Sequence, residues 1–409
     1  MKEPNIRFKG FRGEWKTSII GDIATFSKGR GYSKSDLRSE GNPIVLYGRL
    51  YTNYSSVIES VDTFASLQNG SVLTKGNEVI IPGSGETPED IAVASAVEQK
   101  GVILGGDLNV LTFDQEKISP AFAAMSITYS NTHNELSGYA QGKTVVHLHN
   151  SSISKGHISY PYIDEQQSIS TYFQHLDALI QSTTKKIESL KQVKAASLQS
   201  MFPQEGETTP RVRFKGFEGE WSICPLKYFA KKSTEKNSSM DYSITLTNSA
   251  EYGVINQRDF FDHDISNDDH INGYYVIHHD DFVYNPRVST AAPVGPINRN
   301  LLGYSGVMSP LYLIFRVNGI KKDFLSYYFK TTLWHNYMKL EGNTGARFDR
   351  LSISDEQFFS MPICVPRDEK EQRAIASYFT HLDHQITLQT QRLEKLKQIK
   401  AACLDNMFV

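Results

Sequence analysis

Cysteine is scarce in this chain. Only Cys224, Cys364 and Cys403 occur in 409 residues, far apart and odd in number. No CxxC pair exists, so neither a zinc site nor a disulfide framework is expected, and no metal is assigned. That usage fits a reducing compartment. Long apolar runs are also missing, and none approaches the roughly 20 residues needed to cross a bilayer. The opening MKEPNIRFKGFRGEW has no apolar core of the signal type. We therefore expect a soluble, cytoplasmic protein without a membrane partner. A surplus of one charge is missing too, with 43 Lys and Arg against 45 Asp and Glu, a formal net charge of −2. This excludes a histone-like chain but not local basic patches.

Aromatic residues, by contrast, are plentiful, with 21 Tyr and 22 Phe, and an apolar content of 39% is ordinary for a globular protein. The chain is long enough for two or three domains with their own cores. It is also written twice. PNIRFKGFRGEW (Pro4–Trp15) returns as PRVRFKGFEGEW (Pro210–Trp221), with nine of twelve positions identical at an offset of 206. YFQHLD at Tyr172 returns as YFTHLD at Tyr378, and LKQVKAASLQSMF at Leu190 as LKQIKAACLDNMF at Leu396, again at 206. The middles, about 16–157 and 222–360, barely resemble one another. Such a pattern implies a shared scaffold carrying two different readers.

Each half ends in a periodic stretch. Ile169, Phe173, Leu176, Ile180, Thr183, Ile187 and Leu190 are spaced 4, 3, 4, 3, 4, 3, and Ile375, Phe379, Leu382, Ile386, Gln389, Leu393 and Leu396 repeat that spacing. A mean period of 3.5 is a coiled-coil seam, in which Thr183 and Gln389 are polar positions suited to fixing register. Asp164 with Gln167 and Asp368 with Glu371 offer N-terminal capping signals. Two helices of about 37 residues, each about 55 Å long at 1.5 Å per residue, are expected to pair with one another. Connectivity makes that pairing antiparallel and closes the chain into a ring with a pseudo-twofold axis. The expected architecture is α+β, with target-reading domains at 1–157 and 206–362 and spacer helices at 158–205 and 363–409. Two heads on a pseudo-twofold suit the dyad of duplex DNA, and 55 Å spans on the order of 16 base pairs.

Contacts with DNA require Lys or Arg for phosphates and Arg, Asn, Gln or Ser for base edges. In the first half Lys28, Arg30, Tyr32 and Lys34 form a flexible basic segment, KGRGYSK. Arg49 and Tyr51 follow in LYGRLYTNY, and Lys143 lies in GYAQGKT. In the second half Asn248, Arg287, Ser289, Arg347 and Arg350 are the candidates. No catalytic residues are assigned. GYAQGKT resembles a phosphate loop but lacks its first glycine, a buried strand before it and a helix after it. Its counterpart is EGNTGARFDRLSI (Glu341–Ile353), which keeps two glycines and loses the lysine. YNPR (Tyr284–Arg287) lacks the second proline and the trailing aromatic of a methyltransferase loop, and FSKGRG (Phe26–Gly31) lacks the context of a cofactor loop. DFFDHDISNDDH (Asp259–His270) and HHDD (His278–Asp281) are read as solvated acidic loops.

RFKGF…EW opening each half, a variable region, and a closing helix with YF.HLD…LKQ.KAA.L..MF together resemble the specificity subunit of type I restriction-modification systems. The likeness covers the whole chain. It implies a recognition subunit without catalysis of its own that binds an asymmetric, bipartite stretch of double-stranded DNA. It also implies assembly with two modification subunits, which methylate adenine using S-adenosylmethionine, and with restriction and translocase subunits that use ATP and Mg2+. The alternatives are a specificity chain serving a fused methyltransferase–nuclease, and a structural adaptor that binds no DNA.

Overall fold

A computed structural model describes residues 3–260, 268–343 and 349–409. The chain divides into two compact units, 1–185 with 390–409, and 186–389. Two long helices contribute to both, Ile163–Ser200 and Glu369–Met407.

In the first unit the strands that matter are β1 (Lys16–Ile19), β2 (Ala24–Lys28), β3 (Val57–Ile58), β4 (Glu78–Pro82), β5 (Ser84–Gly85), β6 (Ser95–Val97), β7 (Leu108–Phe113), β8 (Val146–His147) and β9 (His157–Tyr160). The central sheet runs β2-β7-β4-β6-β3, antiparallel except at its β6–β3 edge. β4, EVIIP, is buried at every position, as a central strand covered on both faces must be. Helices α1 (Pro120–Tyr129) and α2 (Asn131–Gly138) follow. Ser119 starts α1 by accepting the Phe122 backbone N–H on its Oγ, with proline at the first helical position. A smaller sheet of Leu37–Arg38, Asn42–Val45, Phe64–Ala65 and Ile103–Leu104 stands beside them.

The second unit repeats this plan with β10 (Ser222–Pro225), β11 (Ala230–Lys232), β12 (Leu246–Ser249), β13 (Gly253–Asn256), β14 (Phe282–Tyr284), β15 (Ile297–Arg299), β16 (Leu313–Val317) and β17 (Pro362–Val365), and helices α3 (Lys322–Tyr328) and α4 (His335–Glu341). Its sheet runs β11-β16-β14-β15, all antiparallel. The heads have therefore diverged in sequence around one α+β core. β2-β7-β4 in the first unit matches β11-β16-β14 in the second, and the β1–β9 ribbon matches β10–β17.

The repeated motifs are the joints of each unit. Arg7 donates from Nε and Nη2 to both carboxylate oxygens of Glu165, each at 2.7 Å, and from Nη1 to the Gly13 carbonyl. Arg213 does the same to Glu371 and Gly219, again 2.7 Å to each carboxylate oxygen. Both glutamates are buried, so a planar bidentate partner is what they require. One residue further on, Gln166 accepts from the Ser119 N–H and donates to the Lys117 and Pro161 carbonyls. Gln372 likewise accepts from Lys321 N–H and donates to Pro366. Trp15 and Trp221 anchor the two cores beside Phe122 and Phe324.

Each unit contains the start of one long helix and the end of the other, running antiparallel. In the first, Tyr172 faces Cys403 and Lys400 pairs with Asp177 at 2.5 Å. Phe408 packs on Phe173 and Phe122. In the second, Ser197 faces Tyr378, Lys194 pairs with Asp383 at 2.5 Å, and Phe202 packs on Phe379. In both cases rising number on one helix meets falling number on the other. Every apolar seam residue is buried or half-buried, as the spacing requires. The helix starts differ from expectation in one respect. Asp368 caps the second by accepting the Lys370 N–H, whereas the first begins at Ile163 and holds Asp164 inside its first turn.

Candidate nucleic-acid interface

Strand direction decides which loops share an edge. In the first unit Lys28 ends β2 opposite Asn109, and Pro82 ends β4 opposite Leu108 at the start of β7. The loops 29–34, 83–87 and 105–107 therefore leave from one end of the sheet. In the second unit Tyr284 ends β14 opposite Leu313 at the start of β16, and the loop 285–289 leaves from the corresponding end.

That end of the first unit is pinned by glycines. Gly29 N–H donates to Leu108, Arg30 N–H to Leu104 and Gly106 N–H to Gly31. A Cβ at Gly29 would lie 1.9 Å from the Gly105 carbonyl oxygen, so no larger residue fits that approach. Gly31 and Tyr32 both adopt left-handed backbone, at φ +61° and +58°. The segment KGRGYSK, expected to be flexible, has its first half hydrogen-bonded at Gly29, Arg30 and Gly31 to Leu108, Leu104 and Gly106. Lys28, Arg30 and Lys34 are exposed, while Tyr32 is half-buried, with its hydroxyl bonded to Ser71 Oγ and the Ser66 carbonyl.

Lys143 projects from an exposed turn closed by the antiparallel bridge Gln141–His147. The turn follows α2 and leads into β8, which pairs with β5. This is helix–turn–strand, the reverse of a phosphate loop, and Gly142 (φ +135°) serves the turn alone. Tyr51 reaches the same place, donating from its hydroxyl to the Ser84 carbonyl at 2.7 Å. Burial foremost, with Asp107 and Asp90 nearby, holds that hydroxyl protonated far above its ordinary range. Arg49 is committed to Asp62 at 2.7 Å.

In the second unit the equivalent loop joins Arg287 and Arg350 as opposed residues of an antiparallel bridge. The flanking bonds, Val288 N–H to Asp349 and Leu351 N–H to Pro286, mark it as the narrow kind of pair, with side chains close together. Arg287 is exposed and Arg350 half-buried, and neither meets a carboxylate among the described residues. Two like charges directly opposite are destabilising unless an anion lies between or above them. Ser289 is exposed beside them, with its Oγ accepting from Ala292 N–H. Arg347 lies outside the described residues.

Asn248 is a correction. It is only 2% exposed. Its amide donates to the Val283 and Pro296 carbonyls and its Oδ1 accepts from Asn298, which ties the β12–β13 hairpin to the sheet. No group is left over to read a base. Tyr284 of YNPR is also buried, with its hydroxyl on the Val294 carbonyl. His278 is hydrogen-bonded to Ser305 and, at 3.1 Å, to both oxygens of Glu235. Arg316 bridges Glu235 and Asp281. Burial raises the Asp281 carboxyl above its usual range despite these partners. Most of Asp259–His270 lies outside the described residues, and among those described no three His, Cys, Asp or Glu stand together as a metal site.

The family model for the type I restriction modification DNA specificity domain matches twice, over residues 12–192 and 219–398. The chain belongs to that family, with two copies of the domain in tandem. Among solved structures it is similar to the S subunit of the type I restriction-modification system from M. genitalium. The identity is 13%, the TM-score 0.58, and 100% of this chain and 99% of that one are covered. It is also similar to the HsdS subunit from Thermoanaerobacter tengcongensis, at 15% identity, a TM-score of 0.47 and 96% coverage of both chains. No curated protein matches the chain. No described helix is long and apolar enough to cross a membrane.

Proposed function

We propose that this chain is the DNA-recognition subunit of a type I restriction-modification complex and that each unit reads one half of a split target. The observation that carries this is the double match of the DNA specificity domain on two units with identical joints and different reading ends. The joints are Arg7–Glu165 and Arg213–Glu371. The reading ends share a sheet edge but not their residues: Lys28, Arg30, Lys34 and Lys143 on one, Arg287, Ser289 and Arg350 on the other. Unlike ends imply unlike half-sites, hence an asymmetric target. The Arg287–Arg350 pair fits a backbone phosphate or the O6/N7 edge of guanine, both of which accept from a guanidinium fork.

Chemistry is supplied by the assembly. Two adenine-modification subunits carry S-adenosylmethionine, and restriction and translocase subunits carry ATP and Mg2+. This chain binds, orients and sets the sequence requirement. Binding of the assembled modification complex to duplexes across a salt series tests the proposal. Sequence-specific binding whose logarithm falls linearly with log salt supports it, because each neutralised phosphate contributes a slope of about −0.9. Binding that ignores DNA sequence and salt would favour a protein-binding adaptor instead.

A further inference from the structure

A loop that composition does not single out stands against the basic segment of the first unit. Ser66–Gly70 is held by three contacts to Tyr32 and Ser71: the Tyr32 hydroxyl on the Ser66 carbonyl, and the Gln68 N–H on both the Tyr32 and Ser71 hydroxyls. Ser71 Oγ also donates back to the Gln68 carbonyl at 2.7 Å. The loop backbone is therefore held by the hydroxyl of Tyr32, a residue with left-handed backbone that directly follows the hydrogen-bonded stretch 29–31. Arg30 lies against it: a Cβ at Gly70 would sit 3.2 Å from Arg30 Nη1, and one at Gly31 would sit 3.8 Å from Gln68 Oε1. Gln68 and Asn69 are exposed, and Leu67 is 55% exposed. The side chains of Arg30 and Gln68 have no hydrogen-bond or ion-pair partner among the described residues. A free guanidinium, a free primary amide and an exposed aliphatic group thus stand side by side on two adjoining segments whose backbones are hydrogen-bonded in place.

We infer that Arg30, Leu67 and Gln68 form the base-reading edge of the first unit. This rests on the DNA-recognition reading above and adds which residues read, and what. Arg30 presents a donor fork to the O6 and N7 acceptors of guanine. Gln68 presents a donor and an acceptor, the complement of the N6 and N7 of adenine, and Leu67 is placed for a thymine methyl. Preorganisation is what makes the set selective, since a free loop would adapt to any base. Lys28, Lys34 and Lys143, as mobile point charges, bind phosphate without reading sequence.

The test is per-position methylation of a randomised duplex library by the modification complex assembled with wild-type chain, Gln68→Ala, Arg30→Ala or Lys34→Ala. Gln68→Ala is expected to lower discrimination at one base position of one half-site about 5- to 150-fold, with the other half-site untouched. Arg30→Ala should do the same at a neighbouring position. Lys34→Ala should weaken all sequences alike. The inference is overturned if Gln68→Ala and Arg30→Ala leave every position unchanged, or weaken all sequences uniformly, beside a normal wild type. A wild-type complex with no split preference would overturn the recognition reading as well. Gln68 is exposed, so its variant folds, and Gln68→Asn keeps the amide with a shorter reach. Partial recovery of discrimination in that variant supports reading by the amide, and no recovery at all counts against it.

Discussion

Replacing Arg7 by methionine should unlock the first unit. Glu165 has a side chain only 2% exposed and both of its oxygens bonded to Arg7 at 2.7 Å, so the substitution strands a buried carboxylate. Losing one partner of a buried ion pair costs about 3–5 kcal/mol. For a unit of this size that corresponds to a fall of roughly 6–20 °C in melting temperature. Removing both partners is different, because Arg7→Met with Glu165→Leu leaves no uncompensated charge and should recover most of the loss. The hydrogen bonds to Glu165 foremost hold the Arg7 guanidinium above its ordinary pKa, so it stays charged throughout the working pH range. Hydrogen-exchange mass spectrometry locates the effect. Protection should fall at α1 and at Ile169–Leu176 and hold at α3, while Arg213→Met should give the converse. A single variant costing less than about 1 kcal/mol, or a double variant as unstable as the single, would refute the role assigned to the pair.

Phe408 packs on Phe173, Phe122 and Tyr129, so Phe408→Ala should destabilise the first unit by about 3–5 kcal/mol in chemical denaturation. A change below about 1 kcal/mol would contradict its place in the core. Asn248→Ala should cost about 1–3 kcal/mol by orphaning its partners on β14 and Asn298, and leave the recognised sequence unchanged. Relaxed specificity at full stability would restore it as a reader. Burial foremost, with Lys339 beside it, holds His335 below its ordinary pKa. The unfolded imidazole protonates near pH 6.5, so stability is complete above that value and declines as pH falls from it toward the folded pKa. His335→Gln should flatten that slope in thermal melts between pH 7 and 5, and an unchanged slope would assign the acid sensitivity elsewhere.

Local periodicity and repetition were readable in the sequence because they need no knowledge of what pairs with what. The 4, 3 spacing of Ile169 to Leu190 marked the seam, and the 206-residue offset marked the units. Connectivity alone implied the antiparallel direction that Lys400–Asp177 and Lys194–Asp383 display. Why RFKGF…EW recurs was hidden, since Arg7 finds its acid 158 residues away in an unremarkable DEQQ run. The reading ends were hidden for the same reason. The backbone at Gly29 and Arg30 is placed by Leu108 and Leu104, and Gln68 gains its position from Tyr32, contacts between residues 36 to 79 positions apart that the fold alone creates. Asn248 looked like a reader because asparagine suits base edges, and burial by β14 and β15 reassigned it to the sheet.

The most direct measurement is methylome sequencing of cells carrying this chain with its modification subunit, before and after residues 16–157 are exchanged for the corresponding stretch of another specificity subunit. One split, asymmetric motif with methylated adenine in both parts is expected, and the exchange should replace one part while leaving the other part in place. A continuous motif, or an exchange that alters both parts together, would contradict recognition by two independent units.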